Sequence, residues 1–333
     1  MPPGNVRPRG RCFHILRALS AIMRGVTTSL AVFGSCNMDL VAYVGTAPRR
    51  GETVLGREFH TAPGGKGANQ AVAAARAGAT VRMIGAVGDD EFADVLRRNL
   101  RDNEVDADGL RTVAGHSGTA HIVVDDQGGN SIVVVQGANA AVDALHDDDH
   151  QRIAASGGLL LQLEIPLEGV RAAAEAARHA GVPVMLTPAP AAELPESVLA
   201  NVDLLLPNES EAAVLTGEQD PRDALRALLE RVPEVVITLG GRGALYGSRD
   251  GEVVEVPGYE VAAVDTTAAG DTFAGVLSVA RAETGDMREA LARASAAAAL
   301  SVQRNGASGS MPSGREIEDF RSGRDGPAFG ADS

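Results

Sequence analysis

The segment Val264-Asp-Thr-Thr-Ala-Ala-Gly-Asp-Thr-Phe-Ala-Gly275 carries the densest chemistry in the chain. Its small residues Ala268, Ala269 and Gly270 fall where an apolar strand region gives way to a helix expected over about 271–282. Unbonded N–H groups at a helix start, with the dipole behind them, form an anion site, and small side chains let a phosphate approach that backbone closely. A carboxylate at Asp271 would repel the same phosphate. The conflict resolves if Asp271 faces a hydroxyl and takes its proton while the N–H groups hold a transferring phosphoryl group. Taken alone, Asp271 reads first as a helix cap, and its neighbours turn the reading toward catalysis.

Three further segments have chemical potential. Pro63-Gly-Gly-Lys-Gly-Ala-Asn-Gln70 is Gly-rich and enters an Ala-rich helix, but the residue after Lys66 is Gly67, so it is neither a P-loop nor a dinucleotide fingerprint. It is either a plain loop with a solvated lysine or a turn that aims Lys66 and Asn69 into a cleft. In Leu205-Leu-Pro-Asn-Glu-Ser-Glu211 an apolar strand ends in Asn208 and Glu211, three residues apart on one helix face. That pair suits Mg²⁺, which keeps most of its waters, and it equally suits a capping box. Ile237-Thr-Leu-Gly-Gly-Arg-Gly243 ends a strand in a Gly-rich turn, a place where nucleotides meet the carboxyl edge of a sheet.

The elements that must position these segments alternate. Strands are expected at 30–33, 81–87, 158–163, 182–186, 203–206 and 235–239, with helices at 68–77, 92–100, 170–180, from 209, and at 225–229. Such alternation implies an α/β fold, a doubly wound, mostly parallel sheet covered by helices on both faces. Two stretches break it. Residues 40–60 are β-like around Pro48 and Gly51, and 119–135 read as two strands joined by the hairpin-type turn Asp125-Asp-Gln-Gly-Gly-Asn130. Neither holds a crossover helix, so both are assigned to a small antiparallel β lid, about 39–62 and 119–136, outside the core.

A formal charge of −14 argues against a nucleic-acid or anionic-membrane surface, and no apolar run approaches the roughly 18 residues of a membrane span. Two cysteines, Cys12 and Cys36, exclude a disulfide framework and fit a reducing cytoplasm. Residues 1–28 hold Arg7, Arg9, Arg11, Arg17 and Arg24 with no acid, and are expected to be a disordered extension, or an over-called start with Met23 as the true one, in preference to an organelle transit peptide. Residues 29–321 then form the main domain and 322–333 a loose Gly-rich tail.

Together these segments resemble the ribokinase-type carbohydrate kinase family from about 30 to 320. The resemblance rests on Gly34-Ser-Cys-Asn-Met-Asp39, Gly64-Gly-Lys-Gly-Ala-Asn69, Gln162-Leu-Glu164, Pro207-Asn-Glu-Ser-Glu211, Thr238-Leu-Gly-Gly-Arg-Gly243 and Asp265-Thr-Thr-Ala-Ala-Gly-Asp271. It implies ATP-dependent phosphorylation of a sugar, D-ribose at its 5-hydroxyl before deoxyribose, a ketohexose or a nucleoside. A sugar-binding regulator without catalysis is disfavoured because Asp271 and Gly270 are both present. A dinucleotide-dependent oxidoreductase is disfavoured because Gly34 stands alone after the first strand. The resemblance assigns the sugar to Asn37, Met38, Asp39, Gly65, Lys66, Gly67, Ala68, Asn69 and Glu164, with Asp271 as base and Ala268, Ala269 and Gly270 as anion hole. It assigns ATP to Asn208, Thr238, Leu239, Gly240, Gly241, Arg242, Gly243, Gly270, Asp271 and Ser295, and Mg²⁺ to Glu211 through water. An activating monovalent cation such as K⁺ would lie among Asp265, Thr267, Ser301, Arg304, Gly306 and Ser310, several through backbone carbonyls. Ser295 stands where the family has Asn or His, and Gly309 where it has Pro. A homodimer through the lid is implied as well.

Overall fold

The computed structural model describes residues 27–127 and 129–323. The expected amino-terminal extension and tail lie outside the described residues, apart from Thr27, Thr28, Ser322 and Gly323. The first strands are β1 (Ser29–Phe33), β2 (Asn37–Val44), β3 (Gly56–Gly64), β4 (Thr80–Val87), β5 (Val105–Thr112), β6 (Gly118–Val124) and β7 (Asn130–Val135). They are followed by β8 (Leu159–Leu161), β9 (Val184–Leu186), β10 (Leu204–Leu205), β11 (Glu234–Thr238), β12 (Gly243–Ser248) and β13 (Val253–Pro257). The helices are α1 (Lys66–Arg76), α2 (Glu91–Asp102), α3 (Asp147–Ala154), α4 (Leu167–Ala180) and α5 (Glu196–Leu199). Then come α6 (Glu209–Thr216), α7 (Pro221–Leu229), α8 (Ala269–Thr284), α9 (Met287–Ser301) and α10 (Gly314–Ser322).

Among the described residues the main sheet has nine strands, in the order β13-β12-β11-β10-β9-β8-β1-β4-β5. All pairings from β5 to β11 are parallel. The central parallel strands, such as β1, β8 and β9, are apolar because both faces are covered. Leu30 and Val32 of β1 pack into one core, Ala31 and Phe33 into the other, and Leu160 against Leu159 and Leu161 repeats the division on β8. Strand order reverses between β1 and β8, and in such sheets the crevice beyond the carboxyl ends at that reversal is where ligands bind. β12 and β13 add an antiparallel edge that the apolar pattern does not reveal. The turn Gly240–Arg242 is too short for a crossover, so the chain must return antiparallel.

The lid is a separate sheet, β3-β2-β6-β7. Each hairpin is antiparallel, while β2 and β6 pair in parallel. Both hairpins leave the carboxyl edge of the core, one after β1 and one after β5, so their first strands point the same way.

Helix ends follow the chain's own signals. Asp90 caps α2, Asp220 caps α7 ahead of Pro221, and Gly181 closes α4 in the left-handed region, as its position predicts. Helices α1 and α8 cross closely enough that a Cβ on Gly275 would stand 2.7 Å from the Ala73 Cβ and the Gln70 carbonyl. That close approach joins the two segments carrying the chemistry. No helix among the described residues is long and apolar enough to cross a membrane.

Candidate active site

The reversal point is tied by side chains. Glu164, beyond β8, accepts hydrogen bonds on Oε2 from Ser35 Oγ (2.6 Å), Asn37 Nδ2 (3.2 Å) and the Lys66 N–H (3.0 Å). The Ser35 hydroxyl in turn accepts from the Gly67 N–H, and the Ser35 carbonyl from the Ala68 N–H. Helix α1 has no side-chain cap of its own, so Ser35 and Glu164 satisfy its open N–H groups, a carboxylate at the positive end of the dipole. Asn139 completes the floor by donating to Asn37 Oδ1 (2.7 Å) and to the Cys36 carbonyl. Glu164→Ala would orphan three donors at a buried position, and is expected to cost about 2–4 kcal/mol of stability. Urea denaturation measures this, and a loss below about 0.5 kcal/mol would show Glu164 to be dispensable to the floor.

Asp271 is 6% exposed and does not cap α8. The residue at the cap is Ala268, in left-handed backbone (φ 58°), a conformation costing about 1 kcal/mol in a residue with a Cβ. Asp271 Oδ2 accepts from Asn69 Nδ2 and Oδ1 from Gln70 Nε2, each at 3.2 Å. Burial raises its pKa, and the Lys66 ammonium and the two amides only partly oppose that. Of the expected anion hole, the Ala269 N–H is bonded to the Thr266 carbonyl at 3.3 Å. The N–H groups of Ala268, Gly270 and Asp271 make no hydrogen bond among the described residues, so they are the donors left at the open helix end.

Three cavities meet at this helix start. The largest, about 690 Å³, lies under the lid and is lined by Asn37, Asp39, Gly65, Lys66, Asn69, Glu164 and Asp271, with Tyr43 and His60 from the lid. A small one of about 220 Å³ holds Asn208, Glu211, Thr187, Thr238, Lys66 and residues 268–271. The third, about 370 Å³ and mostly apolar, is walled by Thr238, Gly240, Gly241, Gly243, Tyr259, Gly270, Phe273, Ser295 and Val302. Lys66 and Asp271 line the first two, and Gly270 the last two. A Cβ on Gly270 would meet no protein atom within 4 Å, so the missing side chain leaves room for a ligand and is not demanded by packing.

The expected residues therefore divide. Met38, Gly67 and Ala68 are buried beneath the first cavity rather than lining it, and Leu239 belongs to the core. The Arg242 side chain pairs with Glu209. Asn208 and Glu211 form a capping box, each accepting from the other's N–H at 2.8 Å, and both also line the small cavity. Ser295 Oγ is buried with no hydrogen-bond partner among the described residues. Asp265, Thr267 and Gly306 lie at the first cavity's rim. Asp265 accepts from the Thr267 N–H (2.9 Å) and the Gly306 N–H (2.8 Å); burial raises its pKa, but these bonds outweigh it and hold the group below the usual carboxylate range. Ser301, Arg304 and Ser310 stand behind that loop, where Arg304 reaches Glu316 and the Ser310 carbonyl. Ser35, Gln70, Asn139, Gln162 and Thr187 carry no role in the motif reading. A polar Gln162 directly after the buried apolar strand β8 is the one sequence signal that marks such a residue.

Four carboxyl groups, those of Asp39, Glu164, Glu211 and Asp271, act on a single ammonium, Lys66, whose pKa they raise, Asp271 foremost. Burial, and then Glu164 and Asp271, push Asp39 up to about 7. The folded state thus favours neutral Asp39, a stabilisation fully present below about pH 4 and lost as pH rises through about 7. The ligand-free protein is expected to lose melting temperature over that window, and Asp39→Asn to flatten the loss. An unchanged slope in that variant would contradict the assignment.

A family model described as pfkB family carbohydrate kinase matches residues 27–314. The chain is 43% identical over 296 residues to a ribokinase of Bacillus subtilis, covering 88% of this chain and 99% of that one. A deoxyribokinase of Salmonella typhi is 38% identical over 305 residues, covering 88% and 98%. Among solved structures, a ribokinase of Arabidopsis thaliana complexed with ribose and ATP aligns with a TM-score of 0.83 at 33% identity, over 89% of this chain and 99% of that one.

Proposed function

The chain belongs to the pfkB family of carbohydrate kinases, and on that premise we propose that it transfers the γ-phosphoryl group of ATP to the 5-hydroxyl of D-ribose, giving D-ribose 5-phosphate and ADP. The observation that carries this reading is the position of Asp271, a buried carboxylate lining both the polar cavity under the lid and the small cavity at the open end of α8. The sugar lies in the first cavity against Asn37, Asp39, Lys66 and Glu164. The nucleoside occupies the apolar third cavity, with the Ser295 hydroxyl a free group at its wall. The phosphates cross the small cavity between them. Asp271 takes the proton of the 5-hydroxyl as the O5–P bond forms and the bond from the γ-phosphorus to the departing ADP oxygen breaks. The N–H groups of Gly270 and Asp271 hold the phosphoryl oxygens. The lid shields the reaction from water that would otherwise hydrolyse ATP.

Two carboxyl groups, Glu211 and Asp271, against the one ammonium of Lys66 make the small cavity receptive to a divalent cation beside an anionic nucleotide. Mg²⁺ there supplies positive charge to the phosphates, and Glu211, whose Oε2 is taken by the Asn208 N–H, holds it through water. A monovalent cation such as K⁺ would lie at the loop of Asp265, Thr267 and Gly306, with Ser301, Arg304 and Ser310 behind it, held mostly by backbone carbonyls. Both Asp265 oxygens brace that loop, and the Val264 and Asp265 N–H groups both donate to the Val302 carbonyl. The exposed apolar strand β7, with Ile132, Val133, Val134 and Val135, supports pairing of lids in a homodimer. Free, buried Cys36 supports a reducing cytoplasm.

The similarity to a deoxyribokinase keeps 2-deoxy-D-ribose as a second acceptor. ADP release measured with D-ribose, 2-deoxy-D-ribose, D-fructose and adenosine separates the readings. D-ribose is expected to lead in kcat/KM by about 10-fold or more. A higher value for the deoxy sugar would reassign the substrate, and no acceptor-stimulated ADP from any of them would overturn the kinase reading.

A further inference from the structure

We propose that Gln70 and Gln162 are positioning residues for phosphoryl transfer: Gln162 fixes the amide of Gln70, and Gln70 holds the Asp271 carboxylate in place as proton acceptor. The inference rests on Asp271 being the base. Three separate elements contribute: Gln162 follows β8, Gln70 lies on α1 and Asp271 on α8. Gln162 Nε2 donates to Gln70 Oε1 at 2.7 Å. Gln70 Nε2 then donates to Asp271 Oδ1 and to Thr187 Oγ1, both at 3.2 Å. Both glutamines are fully buried, so neither amide is open to bulk water.

The direction of the relay is determined by its ends. Rotating the Gln70 amide would set its oxygen against the Asp271 carboxylate and its NH₂ against the Gln162 NH₂. Rotating Gln162 alone would set oxygen against oxygen. Gln162 holds its orientation although its own Oε1 is buried with no hydrogen-bond partner among the described residues. An unmade bond of that kind is costly, and an apolar side chain between Leu161 and Leu163 would avoid it. Room for the amide comes from Gly34 at the end of β1, where a Cβ would stand 2.1 Å from Gln162 Oε1. A half-satisfied buried amide facing the base through one intermediary is what a positioning role requires and a packing role does not.

Asn69 holds Asp271 Oδ2, so the two amides clamp both oxygens and define the carboxylate plane. They also favour its charged form. The charged groups acting on Asp271 are Lys66 on α1, which favours the carboxylate, and Glu164 beyond β8, Asp39 on β2 and Glu211 on α6, whose negative charges oppose it. Losing Gln70 leaves burial and those carboxyls less opposed, so the acid limb of the pH profile moves up.

The test compares Gln70→Met, Gln162→Met and the double variant with wild type, using D-ribose and MgATP. Gln70→Met is expected to lower kcat about 10-fold with both KM values within about 2-fold, and to move the acid limb of kcat to higher pH. Gln162→Met should move kcat and the limb the same way by less. Added to Gln70→Met it should cost nothing further, because it acts only through Gln70. Unchanged kcat and limb in Gln162→Met would overturn the relay, and that variant decides alone if Gln70→Met does not fold. An equal further loss in the double variant would also overturn it. Asp271→Asn measured alongside keeps the two claims apart. Full activity there sinks the base assignment, whereas its loss beside a fully active Gln70→Met sinks only the relay.

Discussion

Replacing Gly270 by valine is expected to lower kcat/KM for ATP by about 10²- to 10³-fold while leaving D-ribose binding and the melting temperature close to wild type. The expectation comes from what surrounds the residue. Gly270 lies in the first turn of α8, its backbone is not in the left-handed region, and a Cβ there meets no protein atom within 4 Å. The fold therefore tolerates a side chain. The space that side chain fills is shared by the small cavity and the apolar third cavity, where the proposed function has phosphates approach the Gly270 and Asp271 N–H groups. A branched side chain pushes the transferring group off those donors, and loss of even one such donor at a developing anion costs orders of magnitude. Calorimetric titration with ATP and with D-ribose separates the two halves. Weakened sugar binding of the same size would mean that the helix start had collapsed, not that the phosphate cradle had been filled.

The parallel core was legible because burial on both faces leaves strands such as Ala31–Phe33 and Leu159–Leu161 uniformly apolar, bounded by Gly34 and Gln162. β5 was not, since Asp106, Asp108 and Arg111 interrupt its apolar positions at the sheet edge. β12 follows a turn of three residues and holds two glycines, so it reads as a loop, although the valines of β13 suit a strand. In the candidate site, Asp271, Lys66 and Glu211 stood out because glycines and helix starts flank them. The roles of Ser35, Gln70, Asn139 and Gln162 were not legible, for a physical reason. Their partners lie 92 to 201 residues away, brought together only by the reversal of strand order between β1 and β8. An amide or hydroxyl has no spacing signature when its function is to hold a residue on another element. Of the two readings of Asn208 and Glu211, the geometry shows the cap, and the carboxylate of that cap also borders the small cavity.

Asp271→Asn is expected to carry the largest loss of all, at least about 10²-fold in kcat, with the affinities for D-ribose and MgATP retained. The asparagine keeps the shape of the side chain and one acceptor oxygen, so the bond from Asn69 or Gln70 survives on one side. It cannot take a proton from the 5-hydroxyl. It also removes one of the carboxyl groups acting on Lys66, which favours ATP binding if it changes it at all. A mutation that leaves both ligands bound and stops transfer identifies a group used only in the reaction, and KM alone would not reveal it. The most direct measurement is a single-turnover quench: wild type and Asp271→Asn, each saturated with D-ribose, are mixed with γ-labelled ATP, and labelled pentose phosphate is counted over time. The account expects wild type to transfer the γ-phosphoryl group of its bound ATP to D-ribose, leaving ADP, and Asp271→Asn to do so at least about 10²-fold more slowly from an equally loaded complex. Transfer by Asp271→Asn at the wild-type rate would contradict it.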